Sequence, residues 1–385
     1  MIRLAPDGRE VLSRTLIGDE VCDLAVDGAG RIHVACGALG YNVLAEDGRP
    51  LRRLGVHAYR VDATADGTAA VLVPSIPNED AKPGPGEILV FDDKGRELLT
   101  FAGQRNTLDL CLDAENRQVI TIGWRQTTAH DGVRKEPVQI AYLLATGFDG
   151  DTRWSGYDWS TDRTRRDSLN ASTNNMADTR GYRVTIGLDG KLYAAFEAAG
   201  GNHQFRWSPT DIHAPVAIVG GDPHHSWHST KSEHKTFIGR YDPKTGAYLA
   251  GQQFCARLEN GRGNTARVHN GAIAADAEGR VYVGGSAAHG LPVSLDPLPA
   301  GTRRGGAYVL VLSPDLKERE LCTRLSGDGW TRAIALRPDG AGFAMVGNAG
   351  AALHVVEPVQ PAFGGKEQDG FLALFATVEP APSGE

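Results

Sequence analysis

The chain has no apolar run long enough to span a membrane as a helix. It also has no basic excess. Forty Lys and Arg stand against 47 Asp and Glu, a formal net charge of -7, so no global positive field exists to hold the phosphates of a nucleic acid. No charged-then-apolar leader follows Met1. The five cysteines (Cys22, Cys36, Cys111, Cys255 and Cys322) are scattered, odd in number and without CxxC spacing, which reads as small buried hydrophobes. Cys22 and Cys36 fall on strands expected to pair, but one residue out of register for a disulfide. No GxSxG, no P-loop, no GxGxxG after a strand and no Cys–His pairing is present, so the motifs that carry their own geometry are missing.

What is present is a repeat. Hydrophobic residues make up 41% of the 385, enough for a sizeable core, and 48 Gly with 20 Pro suit many short strands joined by turns. A short apolar strand, an Asp-containing tight turn and a second strand recur six times, in DLAVDGAGRIHVACG, VDATADGTAAVLV, LCLDAENRQVITIG, VTIGLDGKLYAAF, AIAADAEGRVYVGG and IALRPDGAGFAMVG. The turn aspartates are Asp27, Asp66, Asp113, Asp189, Asp276 and Asp339. Asp and Gly there supply the local hydrogen bonding and positive φ of a tight hairpin. A second hairpin alternates with the first, as in EILVFDDKGRELLTF and FIGRYDPKTGAYLAGQQF. Two hairpins make one four-stranded antiparallel blade, with strands A to D from the inside outward. The expectation is an all-β, six-bladed β-propeller spanning 1–385 as one domain. The last repeat supplies only A, B and C, so Arg9–Leu16 is expected to add its missing outer strand. The leftover strand Ile2–Ala5 keeps a seven-bladed alternative open, with an irregular blade in 155–234. Residues 379–385 read as a flexible tail.

The stretches VGGSAAHGLPVSLDPLPAGTRRGGAYVLVLSPD and VGNAGAALHVVEPVQPAFGGKEQDGFLALF resemble the bacterial β-propeller repeats known as SBBP repeats. The resemblance covers blades five and six well and blade four poorly. It implies a propeller and, by analogy, a secreted or periplasmic setting. It implies no activity, because fold does not give function.

In this strand order the tight A–B and C–D turns lie on one side of the disc, and the long B–C and D–A connections on the other. The longest are the B–C insertion 197–235 and the D–A loop 155–179. Long loops on a rigid scaffold are where binding residues gather. All six tryptophans (Trp124, Trp154, Trp159, Trp207, Trp227 and Trp330) fall in or beside such connections, offering apolar planes on which sugar rings stack. Six of twelve histidines lie in 197–235.

Aligned on the turn aspartate, the residues seven before it are Glu20, Tyr59, Asn106, Tyr182, His269 and Arg332. Those nine before it are Gly18, His57, Gln104, Arg180, Arg267 and Trp330. Positions two apart share a strand face, so a stripe that is apolar five before the turn becomes polar toward the loop-rich side. His57, Tyr59, Asn106, Arg180, Tyr182, Arg267, His269, Trp330 and Arg332 are therefore expected around one funnel mouth, with Trp207 and Trp227 as further stacking platforms.

These residue types suit elimination beside a uronate. Arg180 and Arg267 would neutralise the carboxylate, His269 would take the adjacent proton, and Tyr182 would serve as acid or base partner. Propeller-fold polysaccharide lyases are similar in fold and site logic, without a residue-by-residue motif. The segment DPHHSWHSTKSEH places His224, His225 and His228 together, a candidate site for a divalent metal. A glycoside hydrolase would instead use two carboxylates. Asp23, Asp62 and Asp109 share one register, however, and repetition at one register reads as a structural hydrogen bond. A non-catalytic glycan- or protein-binding platform would carry the same aromatic anchors and arginines.

Overall fold

The computed structural model describes residues 2–18, 20–74, 85–130, 135–158, 178–199, 204–211, 213–218, 234–291, 305–350, 353–355, 358–360, 364 and 367–376. An N-terminal hairpin, β1 (Ile2–Leu4) and β2 (Val11–Arg14), precedes the ring. Blade one is β3 (Asp23–Val26), β4 (Ile32–Ala35), β5 (Tyr41–Leu44) and β6 (Pro50–Leu54). Blade two is β7 (Arg60–Ala63), β8 (Ala69–Val73), β9 (Pro85–Phe91) and β10 (Glu97–Arg105). Blade three is β11 (Thr107–Asp113), β12 (Gln118–His130), β13 (Lys135–Gly147) and β14 (Thr152–Gly156). Blade four is β15 (Thr179–Ile186), β16 (Leu192–Ala199), β17 (His234–Tyr241) and β18 (Tyr248–Phe254). A small hairpin, β19 (Ala256–Arg257) and β20 (Gly263–Asn264), leads to blade five: β21 (Ala266–Ala275), β22 (Val281–Ala287), β23 (Gly306–Leu312) and β24 (Arg319–Arg324). Blade six is β25 (Trp330–Leu336), β26 (Gly342–Ala349) and β27 (Asp369–Ala376). The fold is thus a six-bladed β-propeller, and no seventh blade stands in 155–234 among the described residues. None of the five cysteines forms a disulfide.

The turn aspartates do more than close their hairpins. One oxygen of Asp27 accepts from the amides of Ala29 and Arg31, both at 2.9 Å, and the other from Arg31 Nε at 2.6 Å and lies 3.1 Å from His33 Nε2. The same division recurs with Gln118 on Asp113 (2.8 Å), Tyr193 on Asp189 (2.8 Å) and Tyr282 on Asp276 (3.1 Å). Each aspartate therefore pins strand B as well as the turn. Blades two and six lack this second bond: Asp66 holds Thr64 and Thr68, and Asp339 holds Arg337 and Ala341.

Neighbouring inner strands are tied by side chains reaching to backbone. Asp23 Oδ2 accepts from Val61 N at 3.2 Å, Asp62 Oδ2 from Leu112 N at 2.8 Å, and Asp109 Oδ2 from Val184 N at 3.2 Å. These are the three carboxylates at one register, and their role is structural. Arg60 Nε donates to Leu108 O at 3.1 Å, and Arg183 Nε to Gly271 O at 2.6 Å. Burial pushes the carboxyls of Asp23 and Asp62 up to about 6. For Asp23 the Arg60 guanidinium works against that rise.

The junction of blades six and one is different. Inner strands pack in sequence from β3 on β7 round to β21 on β25, but β25 does not pack on β3 in the same way. At the two registers that carry Asp and Arg ties elsewhere, blade six has Ala335 and Ala333, both exposed. Val346, Leu372 and Leu374 on that face are exposed too, as are Leu24 and Val26 on blade one. The expected outer strand from Arg9–Leu16 is not there: β2 pairs with β1, and β27 pairs only with β26 among the described residues. A turn closed by Gly8 N donating to Ala5 O at 2.8 Å brings β1 to β2 locally. Local pairing costs far less loop-closure entropy than reaching a strand at the other end of the chain. The hairpin instead spans the rim, with Gly8 against Leu374 and Arg3 paired with Glu46 at 2.6 Å.

Two outcomes follow. In hydrogen exchange, amides of β3 and of β25 to β27 exchange ahead of those in the inner strands of blades three to five. Equal protection round the ring would show the sixth junction to be as firm as the others. Asp62→Asn keeps an oxygen for Leu112 N but removes the titration. A carboxyl raised on folding binds an extra proton in the native state, so its contribution to stability falls as pH rises from about 4 to about 6. Relative to wild type, the variant therefore gains on the order of 1–2 kcal/mol above that window, after discounting for partial solvent screening. Denaturant titrations of both proteins below and above the window read this difference.

Candidate functional site

β-Bulges near the loop-rich ends of the inner strands decide which side chains reach the mouth. The pairing register shifts between Thr107 and Asp109 in β11, Gly181 and Arg183 in β15, Arg267 and Ala272 in β21, and Thr331 and Ala333 in β25. A bulged residue leaves the ladder and its side chain is re-aimed. The bulges hold Leu108, Tyr182, the segment Val268–Gly271 with His269, and Arg332. In blades four to six the bulge thus carries a polar or aromatic group; in blade three it carries leucine. Glycine is required at Gly271, where a Cβ would stand 2.0 Å from Gly284 O.

The structure brings together Arg180, Tyr182, Arg267, His269, Trp330 and Arg332. Tyr182 and His269 stack at 5.1 Å with rings 14° apart, and Trp330 meets His269 edge-on at 5.9 Å. Arg180 Nη1 donates to Tyr182 Oη at 3.5 Å, Nη2 to Asp178 at 3.3 Å, and Nε to Gln139 Oε1. Its guanidinium also faces the Trp124 ring at 5.9 Å. Arg332 lies over Trp330 at 5.6 Å and donates to Asn348 Oδ1 at 3.0 Å.

At the back of this cluster is a group that inspection of the inner strands alone misses. Glu197, on β16, is buried, and neither of its oxygens accepts a hydrogen bond. Oε2 lies 3.3 Å from His234 Nδ1 and 3.8 Å from Arg267 Nε. Its sequence signal is a single acid in the otherwise apolar run LYAAFEAA.

Burial pushes the His269 imidazole below its ordinary value, the charge of Glu197 pulls it back up, and Arg267, Arg180 and Arg183 lower it further. The ring is neutral at pH 7, with a nitrogen free to accept a proton. Burial, then the charge of Glu197, pushes Tyr182 up to about 12, so the phenol keeps its proton and can donate it.

Of the other expected site residues, Tyr59 remains near Arg332 and Arg183. Asn106 is a backbone corner: φ is 53°, its side-chain Nδ2 donates to Trp124 O at 3.3 Å, and its backbone carbonyl accepts from Trp124 N. Trp207 packs on the core between blades three and four, beside Phe205 and Phe237. Trp154 is buried and donates to Pro243 O at 2.8 Å, in the β17–β18 turn on the tight-turn side, so the tryptophans do not share one face. Residues 124–130 and 135–138 extend the β12–β13 ladder. His57 precedes β7, and Tyr59 lies under the Arg60 guanidinium at 4.7 Å. Trp159, Trp227, His224, His225 and His228 lie outside the described residues, as does most of 155–179 and 197–235. Among the described residues no group of three or more His, Cys, Asp or Glu could hold a metal ion, and no helix is long and apolar enough to cross a membrane.

An NMR titration of His269 is expected to give a midpoint below the ordinary histidine value of about 6.5. Tyr182→Ala, which uncovers the ring, moves it back upward. A midpoint at or above the ordinary value in the wild type would mean that the ring is solvated.

No family model matches the sequence, and no curated protein matches it. Among solved structures it is similar to a chain of Kuenenia stuttgartiensis hydrazine synthase, at 10% identity and a TM-score of 0.54, over 89% of this chain and 85% of that one. The WD40 repeats of RRP9 align over 90% and 92% of the two chains at 12% identity, with a TM-score of 0.39. The first likeness bears on the fold alone: this chain is built as a β-propeller.

Proposed function

We propose that the propeller binds an acidic carbohydrate at the mouth formed by blades four to six, and that it cleaves this substrate by elimination beside a uronate. The observation that carries the reading is the stacked His269–Tyr182 pair, a neutral base against a protonated phenol, with Arg180 and Arg267 alongside. Elimination needs a cation on the carboxylate, a base for the adjacent C–H proton and an acid for the leaving oxygen. Arg180 and Arg267 supply the first, His269 the second and Tyr182 the third. Trp330 and Arg332 line the approach and give a sugar ring a plane to stack on. A secreted or periplasmic setting fits such a substrate and the SBBP-like repeats of blades five and six.

A second reading is a non-catalytic platform for a glycan or protein. It is favoured by one observation: both arginines already face internal carboxylates, Arg180 on Asp178 and Arg267 near Glu197. That leaves less positive charge for a ligand than the arginines alone suggest.

The test is the ultraviolet absorbance of an unsaturated uronate over a panel of uronate-containing polysaccharides, with and without chelator. Absorbance is expected to rise, and His269→Ala and Tyr182→Phe each to lower the rate by about 10²–10⁴-fold in folded protein. A flat trace, with glycan binding retained, would replace elimination by the platform reading. Loss of activity in chelator would direct attention to the metal candidates His224, His225 and His228.

A further inference from the structure

Glu197 is an acid where the matching positions of blades five and six are neutral. The strand-B residue opposite the start of strand A is Glu197 in blade four, facing Arg180, but Ser286 in blade five, facing Arg267, and Asn348 in blade six, facing Trp330. A buried carboxylate costs several kcal/mol in desolvation unless its charge is compensated. Here no protein hydrogen bond satisfies either oxygen; the His234 ring stands beside Oε2, and the cation that faces it is Arg267 of the next blade. So the fold tolerates a neutral residue at this place, yet carries an acid where the candidate catalytic groups meet.

We propose that Glu197 is the positioning residue of the site: it holds Arg267 across the junction of blades four and five and sets the charge around His269 and Tyr182. This rests on the acid–base assignment above. The groups facing His269 are Tyr182, Arg180 and Arg183 from β15, Glu197 from β16, Arg267 on its own strand, and Trp330 with Arg332 from β25. Glu197 is the acid in this set. Without it the arginines act on the imidazole unopposed, and Arg267 loses the carboxylate that orients it toward β16. His269 would then bind its proton more weakly, and the phenol of Tyr182 would release its own more readily.

The experiment is an NMR titration of His269 in full-length protein labelled at histidine, comparing wild type, Glu197→Gln and Glu197→Asp. In Glu197→Gln the His269 proton affinity is expected to fall about threefold or more, a shift of about half a pH unit. Glu197→Asp restores most of it. An unchanged midpoint in folded Glu197→Gln, or an equal fall in Glu197→Asp, overturns the proposal. Should Glu197→Gln fail to fold, Arg267→Gln reads the same electrostatic set with opposite sign, and an unchanged midpoint there is equally fatal. The titration needs no substrate, so it stands apart from the carbohydrate reading. If wild type eliminates uronates, the acidic limb of its pH–rate profile moves to lower pH in Glu197→Gln. If it does not, that reading fails while the titration still decides the role of Glu197.

Discussion

The guanidinium of Arg183 holds the working half of the ring together. Its Nε donates to Gly271 O at 2.6 Å and its Nη1 to Tyr182 O at 2.9 Å, while Asp109 Oδ2 lies 3.9 Å away. One side chain thus touches the inner strands of blades three, four and five. Burial, then the nearby Arg60 charge, lowers it to about 10, and it stays charged at neutral pH. A buried charge is costly unless its donors are used, and these are used on backbone carbonyls at two bulges. Those bulges carry Tyr182 and His269. The interaction that closes the junctions also fixes the two rings against each other.

That coupling explains why the candidate residues gather on blades four to six. In blades one to three the inter-blade ties are aspartates accepting from amides, joined between blades two and three by Arg60 donating to Leu108 O, and the bulge of blade three carries only leucine. Between blades four and five the tie is Arg183 donating to a carbonyl, and the strand it reaches in blade five has left its ladder over Val268–Gly271. Small residues make this possible, since Gly271 and Gly285 approach backbone too closely for a side chain and Gly284 lies against the Thr331 side chain.

Much of this was legible in the sequence, and the limits have physical causes. The turn aspartates marked every blade because a tight hairpin restricts its turn residues wherever it occurs. Asp23, Asp62 and Asp109 were legible as structural because they recur at one register. Alignment also brought out Arg180, Tyr182, Arg267, His269 and Trp330. Counting by twos assumes an unbroken ladder, however, and Asn106, at positive φ, belongs to no strand face. Glu197 was missed because the alignment followed inner strands, whereas the charge that matters comes from the strand behind. The outer strand from Arg9–Leu16 was a topological expectation, and local pairing with Ile2–Leu4 prevailed over it.

The unpacked sixth junction bears on the site through β25. Trp330 and Arg332 stand on the one inner strand of the cluster that, among the described residues, packs on blade five but not on β3 of blade one in the same way, and alanines occupy its tie registers. Thr331 Oγ1, donating to Tyr308 O at 2.8 Å, is the anchor on that side. The mouth therefore has a fixed wall, Tyr182 and His269 between two packed junctions, and a wall with fewer restraints, Trp330 and Arg332. Chemistry that depends on sub-ångström placement belongs on the fixed wall. Stacking and long-range charge tolerate small displacements, and those are the interactions that Trp330 and Arg332 offer. The division of roles proposed for the site follows the division of stiffness in the ring.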